Sequence, residues 1–246
     1  MSRTRVFAAL LLSVALLVSC GSDDAATASF ESPADGATIA GGVQVQMAAD
    51  GVTIEEAGEA RDGAGHFHVI ADDACTTTGE AIGKDADHVH FGKAQTEGTI
   101  YLEPGEHDLC LQVGDGVHTA LDITDTITVT IGIDTQDQWC AVVGEVDSLF
   151  EAVDASSDDF TTKQIGYENI HRLVQQLVDG LEAVDADVRE DVDASLDFAA
   201  DLTAALTSAA DQEAAEAATQ PVFASMPHGL PGADWIRDTC NVDIEG

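Results

Sequence analysis

The 246-residue sequence is poorest in cations. Nine Lys+Arg stand against 46 Asp+Glu, a formal charge of −37 at pH 7. So few positive side chains exclude DNA, RNA and anionic headgroups as partners, because those surfaces are bound by clustered Lys and Arg. Common catalytic signatures are missing too. There is no G-x-S-x-G, no G-x-x-x-x-G-K-[ST], no His-Glu-x-x-His, and no G-x-G-x-x-G in a strand–helix setting. No C-x-x-C occurs, and no Cys is followed by His and Met at blue-copper spacing. After Val18 no apolar run is long enough to span a bilayer. Apolar residues nevertheless make up 45% of the chain, ordinary for a folded protein.

The N-terminus has the marks of export. Arg3 and Arg5 precede an apolar run from Val6 to Val18, interrupted only by Ser13. At 1.5 Å per residue that run is about 20 Å long, the size of a signal h-region rather than a membrane span. Leu17-Val18-Ser19-Cys20 follows. The segment resembles a bacterial lipoprotein signal peptide with its lipobox. The resemblance implies cleavage after residue 19, lipidation of Cys20 and an extracytoplasmic chain anchored to the cell membrane through its N-terminal lipid. Residues 20–29 read as a tether. Loss of Arg3 and Arg5 leaves seven cations, an acidic surface suited to a salty medium that screens self-repulsion.

The remainder divides by periodicity. Residues 30–133 alternate with period two in short runs, such as Val43-Val45-Met47 and Ile127-Val129-Ile131, separated by Asp35-Gly36, Asp50-Gly51 and Pro104-Gly105. About seven strands at that spacing predict an antiparallel β-sandwich of immunoglobulin-like type. Residues 137–246 step by three and four: Trp139, Val142, Val143 and Val146, then Ile170, Leu173, Val174 and Leu177, then Val188, Val192, Leu196 and Leu202. They predict a small bundle of about three helices, with an N-cap at Ser156–Asp158, a loop over 219–234 and a short turn over Ala233–Asp238. The chain as a whole is expected to be α+β. Four cysteines outside the cytoplasm read as two disulfides, for which three connectivities are possible. Cys75–Cys110 and Cys140–Cys240 are favoured, because each pair lies within one half. The second would close the bundle.

The histidines carry the sharpest signal. Six of eight fall between positions 66 and 118: His66, His68, His88, His90, His107 and His118. Four form two His-x-His pairs, and on a strand residues i and i+2 share a face. Two such strands side by side would make a four-imidazole patch, with Phe67, Val69, Val89 and Phe91 buried on the other face. Neutral imidazole suits copper or zinc, so all six are candidate metal ligands, with Asp85, Asp87 and Asp115 as supporting carboxylates. His171 and His228 read as surface residues. Lys93 beside Glu97 is expected to form a buried ion pair that orders the His88–His90 strand.

Several stretches resemble the DUF4399 family of exported bacterial domains: Phe30-Glu31-Ser32-Pro33-Ala34-Asp35-Gly36, Gly65-His66-Phe67-His68-Val69-Ile70, and His88-Val89-His90-Phe91-Gly92-Lys93-Ala94-Gln95-Thr96-Glu97. Leu102–Leu109 and Gly114–His118 resemble it too. The likeness spans about residues 30–131 and implies a domain without an established biochemical role. Phe67 stands where the family commonly has a third consecutive His, and Gly116 where another His often occurs.

Three functions fit. The first is a cell-envelope lipoprotein whose sandwich binds copper or zinc. The second is a structural protein that contacts another envelope protein and holds no metal. The third is a copper-dependent redox enzyme, since Gly65-His66-Phe67-His68 with Cys75 is similar to part of the copper–zinc superoxide dismutase pattern. The remaining His spacing does not follow that pattern, and an acidic surface repels superoxide. No catalytic residue is assigned, and an enzyme is the less favoured reading.

Overall fold

The computed structural model describes residues 25–156, 159–225 and 230–242. The lipobox with Cys20, and His228, lie outside the described residues. The chain is α+β, with a sheet-rich region followed by helices. The strands are β1 (Thr27–Ser32), β2 (Ala37–Ile39), β3 (Val43–Asp50), β4 (Thr53–Ile54), β5 (Ala64–Ala71), β6 (His88–Phe91), β7 (Glu97–Ile100), β8 (Gly105–Gly114) and β9 (Ala120–Ile131). β1 begins inside the segment expected to be tether.

One sheet has the order β1-β3-β7, the other β2-β9-β8-β5-β4, with β6 also paired to β5. They share one hydrocarbon core, in which Val43, Val45 and Met47 of β3 join Phe67, Val69, Leu109 and Leu111 of the larger sheet. The larger sheet is mixed rather than wholly antiparallel: β2 runs parallel to β9, and β4 parallel to β5. Both are short edge strands. Each reaches the larger sheet after the chain leaves the smaller one, a crossing that can deliver a strand in the parallel sense.

β5 is central, and all eight of its residues are buried. Its pleat divides them. Phe67 and Val69 enter the shared core, while His66, His68 and Ile70 take the other face. That outer face is covered by the segment after β5. The Cys75–Cys110 disulfide fastens the segment to β8. Gln112 exchanges hydrogen bonds with the backbone of Thr76, and Ile82 N–H donates to the carbonyl of His118.

The helices are α1 (Gln136–Ala155), α2 (Phe160–Asp179), α3 (Arg189–Ser208), α4 (Gln212–Ser225) and α5 (Ala233–Cys240), with a 3₁₀ turn at Gly180–Ala183. Thr135 starts α1 in a capping box with Gln138. Asp159 caps α2 through the N–H of Thr162, in place of the cap expected at Ser156–Asp158. The loop expected over 219–234 is wrong at its start, because Thr219–Ser225 complete α4 with Pro221 inside it. Ala215 and Thr219 pack their side inward and hold the helix where local propensity would end it. Trp139, Leu173, Leu177, Val192 and Ile236 form the helical core, and Cys140 is bonded to Cys240 at its edge.

The halves meet through polar pegs. Arg172 of α2 donates to the carbonyl of Tyr101 and, at 2.8 Å, to Asp87 beside β6, as well as to Glu168 on its own helix. Gln176 accepts from Gly41 N–H and donates to the carbonyl of Leu102. Glu145 of α1 accepts from Gly42 N–H, and burial together with that carboxylate pushes the Tyr101 phenol up to about 12. Arg172 is among the few cations in the chain and is almost wholly buried. Charged hydrogen bonds of this kind contribute about 1.5–3 kcal/mol. Arg172→Met is therefore expected to lower stability in urea by about 2 kcal/mol, whereas Glu168→Gln, half exposed, should change it by less than about 0.5.

Candidate metal centre

The site is assembled from three pieces of backbone. β5 supplies His66 and His68, β6 supplies His90, and the turn between β8 and β9 supplies His118. β5 and β6 are neighbours as the two His-x-His pairs require, but their register matters. Phe67 sits opposite Phe91, His68 opposite His90, and Ile70 opposite His88. The shared core sets that alignment by matching aromatic with aromatic. His88 is thereby carried past the cluster to lie beside Ile70.

His66, His68 and His90 offer ligand nitrogens that all lie within 4.8 Å of one another, and the group could hold a metal ion. His118 completes a quartet of rings. Nε2 of His68 is 3.0 Å from Nε2 of His66, and Nε2 of His118 is 3.1 Å from Nε2 of His90. Ring centroids across the two pairs are 4.9–5.8 Å apart. Four nitrogens around a tetrahedral ion with bonds of about 2.0–2.1 Å would sit about 3.3–3.4 Å apart. The two Nε2–Nε2 contacts are slightly shorter than that spacing, one within each pair of rings.

Chemistry agrees with geometry. Burial, reinforced by the neighbouring imidazoles His90 and His118, lowers His66 to about 4 despite the opposing Asp115 carboxylate. Burial and the surrounding rings take His68 to about 3. His90 is lowered by burial, by His118 and by Lys84. Neutral imidazole is the metal-binding form. The Nδ1 atoms of His66 and His68 are buried without a hydrogen-bond partner, so these rings have bonding capacity that the protein leaves unmet.

The fourth ring is held under constraint. His118 has φ of 70°, in the left-handed region uncommon for a side-chain-bearing residue. Asp115 fixes it there: its Oδ1 accepts from the N–H groups of Val117 and Thr119, and its backbone carbonyl accepts from His118 N–H. Asp115 thus shapes the turn. Room for the rings is made by glycine. A Cβ on Gly92 would lie 2.0 Å from Cε1 of His90, and one on Gly114 would lie 3.0 Å from Nε2 of His68. Neither glycine was singled out as a site residue from the sequence. Gly92 follows the end of β6, two residues beyond His90, and lies beneath the same ring.

Four of the candidate ligands and supporting carboxylates, His107, His88, Asp85 and Asp87, fall elsewhere. His107 is on the opposite face and at the other end of β8, because it shares parity with core residues Leu109 and Leu111. Both its nitrogens are engaged, Nδ1 with Asp72 at 2.7 Å and Nε2 with the carbonyl of Glu103. His88 bonds Asp85 through Nδ1 at 2.8 Å. Burial raises the Asp85 carboxyl, but hydrogen bonds from the His88 ring and backbone outweigh it and its pKa is lowered. Asp87 belongs to the contact with Arg172. Lys93 is exposed and, among the described residues, forms no ion pair with Glu97. His171, expected on the surface, is half-buried and hydrogen-bonded to Thr203.

Phe67 and Gly116 each have a structural reason. Phe67 points into the shared core, where an imidazole would not reach the cluster. A Cβ on Gly116 would lie 2.4 Å from the carbonyl oxygen of Glu59, so no larger side chain fits that close backbone approach.

Residues 45–132 match the family model described as "Domain of unknown function (DUF4399)". The match runs from within β3 to just past β9. It contains every imidazole of the cluster and excludes β1, β2 and the helices. No curated protein and no solved structure matches the chain.

Two outcomes follow. His66 and His68 have folded pKa values below the unfolded value near 6.5, so protons bind the unfolded chain first as pH falls. Metal-free protein should be fully stable above pH 6.5 and lose about 1.4 kcal/mol per pH unit per buried imidazole as pH falls toward 4. Urea titrations at pH 7.5, 6 and 5 in chelator test this, and His68→Gln should flatten the slope. Separately, Gly92→Ala should weaken metal affinity at least about tenfold, read by competition with a chromogenic chelator, because the His90 ring must swing away.

Proposed function

We propose that the protein is a lipid-anchored, extracytoplasmic metal-binding protein, in which His66, His68, His90 and His118 hold copper or zinc. The observation that carries this reading is the convergence of four imidazoles, three from strands of the larger sheet. Four nitrogen donors without a thiolate suit borderline ions such as Cu²⁺ and Zn²⁺ over Mg²⁺ or Ca²⁺, which take oxygen ligands. The acidic surface enriches cations near the site, and the Asp115 carboxylate offsets the charge of a bound ion. The anchor follows from the lipobox at Cys20, and the scaffold is read as an immunoglobulin-like sandwich because two sheets share one core.

A second reading has its own support. The separations of 3.0 and 3.1 Å are also ordinary hydrogen-bond lengths, and the four rings could satisfy one another in pairs within a protein that contacts an envelope partner and holds no metal.

Elemental analysis separates the two. The chain from Gly21 onward, exported to an oxidising compartment without a His tag, is expected to carry about one copper or zinc per molecule after loading and dialysis. His66→Ala with His90→Ala should abolish retention, His118→Ala should weaken it, and His107→Ala and His88→Ala should leave it intact. Absence of metal in the parent protein would overturn the metal reading. Superoxide turnover by a copper-loaded sample would revive the redox reading.

A further inference from the structure

α2 has two working faces. Arg172 and Gln176 face the sheets, and Ile170, Val174 and Leu177 project from the opposite side. α1 and α3 pack on either side of α2. Between them, over Ile170, Val174 and Leu177, lies a cleft of about 460 Å³. Val146 and Phe150 of α1 form one wall, and Leu196 and Leu202 of α3 form the other.

The interior offers no free polar group. Ser195 donates its hydroxyl to the carbonyl of Pro231, Thr203 donates to Ala199, and the Trp139 indole N–H donates to Leu177. The deep part therefore suits hydrocarbon. The rim is different: Asp147, Glu151 and Asp154 lie on α1 at steps of four and three, along one edge of the cleft. Among the described residues none of these carboxylates is in an ion pair, although the Lys163 ammonium donates to the backbone carbonyl of Asp154 at the end of the row. Apolar depth with an anionic edge is complementary to a molecule with a hydrocarbon body and a positive end. A second copy of this chain, at −37, would bring like charge to that edge. The volume falls in the range of small-molecule sites, about 300–1,000 Å³. Two turns of a partner helix would need roughly twice the space.

We propose that the helical half binds a small cationic amphiphile, a long-chain amine or quaternary ammonium compound, with its chain over α2 and its charge at Asp147, Glu151 and Asp154. This is independent of metal binding by the sheets.

Calorimetry on the full chain from Gly21 tests it, with dodecyltrimethylammonium, dodecanol and dodecyl sulfate below their aggregation limits. One saturable site is expected for the cation, with at least tenfold weaker binding of the sulfate. Ala199→Phe fills the cleft without changing net charge and should remove cation binding at least tenfold, and Leu202→Trp serves the same purpose if that variant does not fold. Asp147→Asn with Glu151→Gln should weaken the cation and leave dodecanol unchanged. No binding to the parent protein would overturn the proposal. So would cation binding that survives a filled cleft, since attraction to the acidic surface at large would then explain it.

Discussion

Everything at the candidate centre depends on a strand that is buried on both faces. β5 gives one face to hydrocarbon and the other to imidazole, and the pleat leaves no other division once Phe67 is committed to the core. The alignment with β6 follows from the same commitment. Phe91 must lie across from Phe67, which brings His90 against His68 and removes His88. The core thus chooses which imidazoles meet on the far side of the sheet. Burial that would be costly for a charged imidazole becomes the reason these rings are neutral.

The helical half is built differently. Its contact with the sheets combines hydrogen bonds of Arg172, Gln176 and Glu145 to backbone groups and carboxylates with Ala40, Tyr101 and Ile133 packed against the helical core. In a chain this acidic, a cation at the junction is worth more than one on the surface, because its partners are carboxylates that would otherwise face each other across the seam. The far side of α2 is then free to hold an apolar cleft.

Much of this was legible in the sequence, for identifiable reasons. Period-two His spacing and the alternating Phe67, Val69 and Phe91 announced paired strands with opposed faces, and the change of period near residue 137 marked the helices. The disulfides paired within the halves, as composition suggested. What was not legible came from register and from distant chain. A two-residue offset exchanged His88 for His118, and only the folded turn after β8 brings His118 to the cluster. His107 lies near the other histidines in sequence, but its parity with Leu109 and Leu111 turns it to the core face. The helix through Pro221 reflects packing of Ala215 and Thr219, which no local signal reports.

The glycines around the rings give the site its space by omission. A candidate metal centre is usually recognised by the residues that would touch an ion, yet here the His90 ring occupies the space that a side chain at position 92 would fill, and the His68 ring lies tight against position 114. The site can therefore be lost while every ligand is kept. A relative that retained all four imidazoles but acquired an alanine beneath His90 would have the donors without the room, and a pattern drawn on histidine alone would count it as intact.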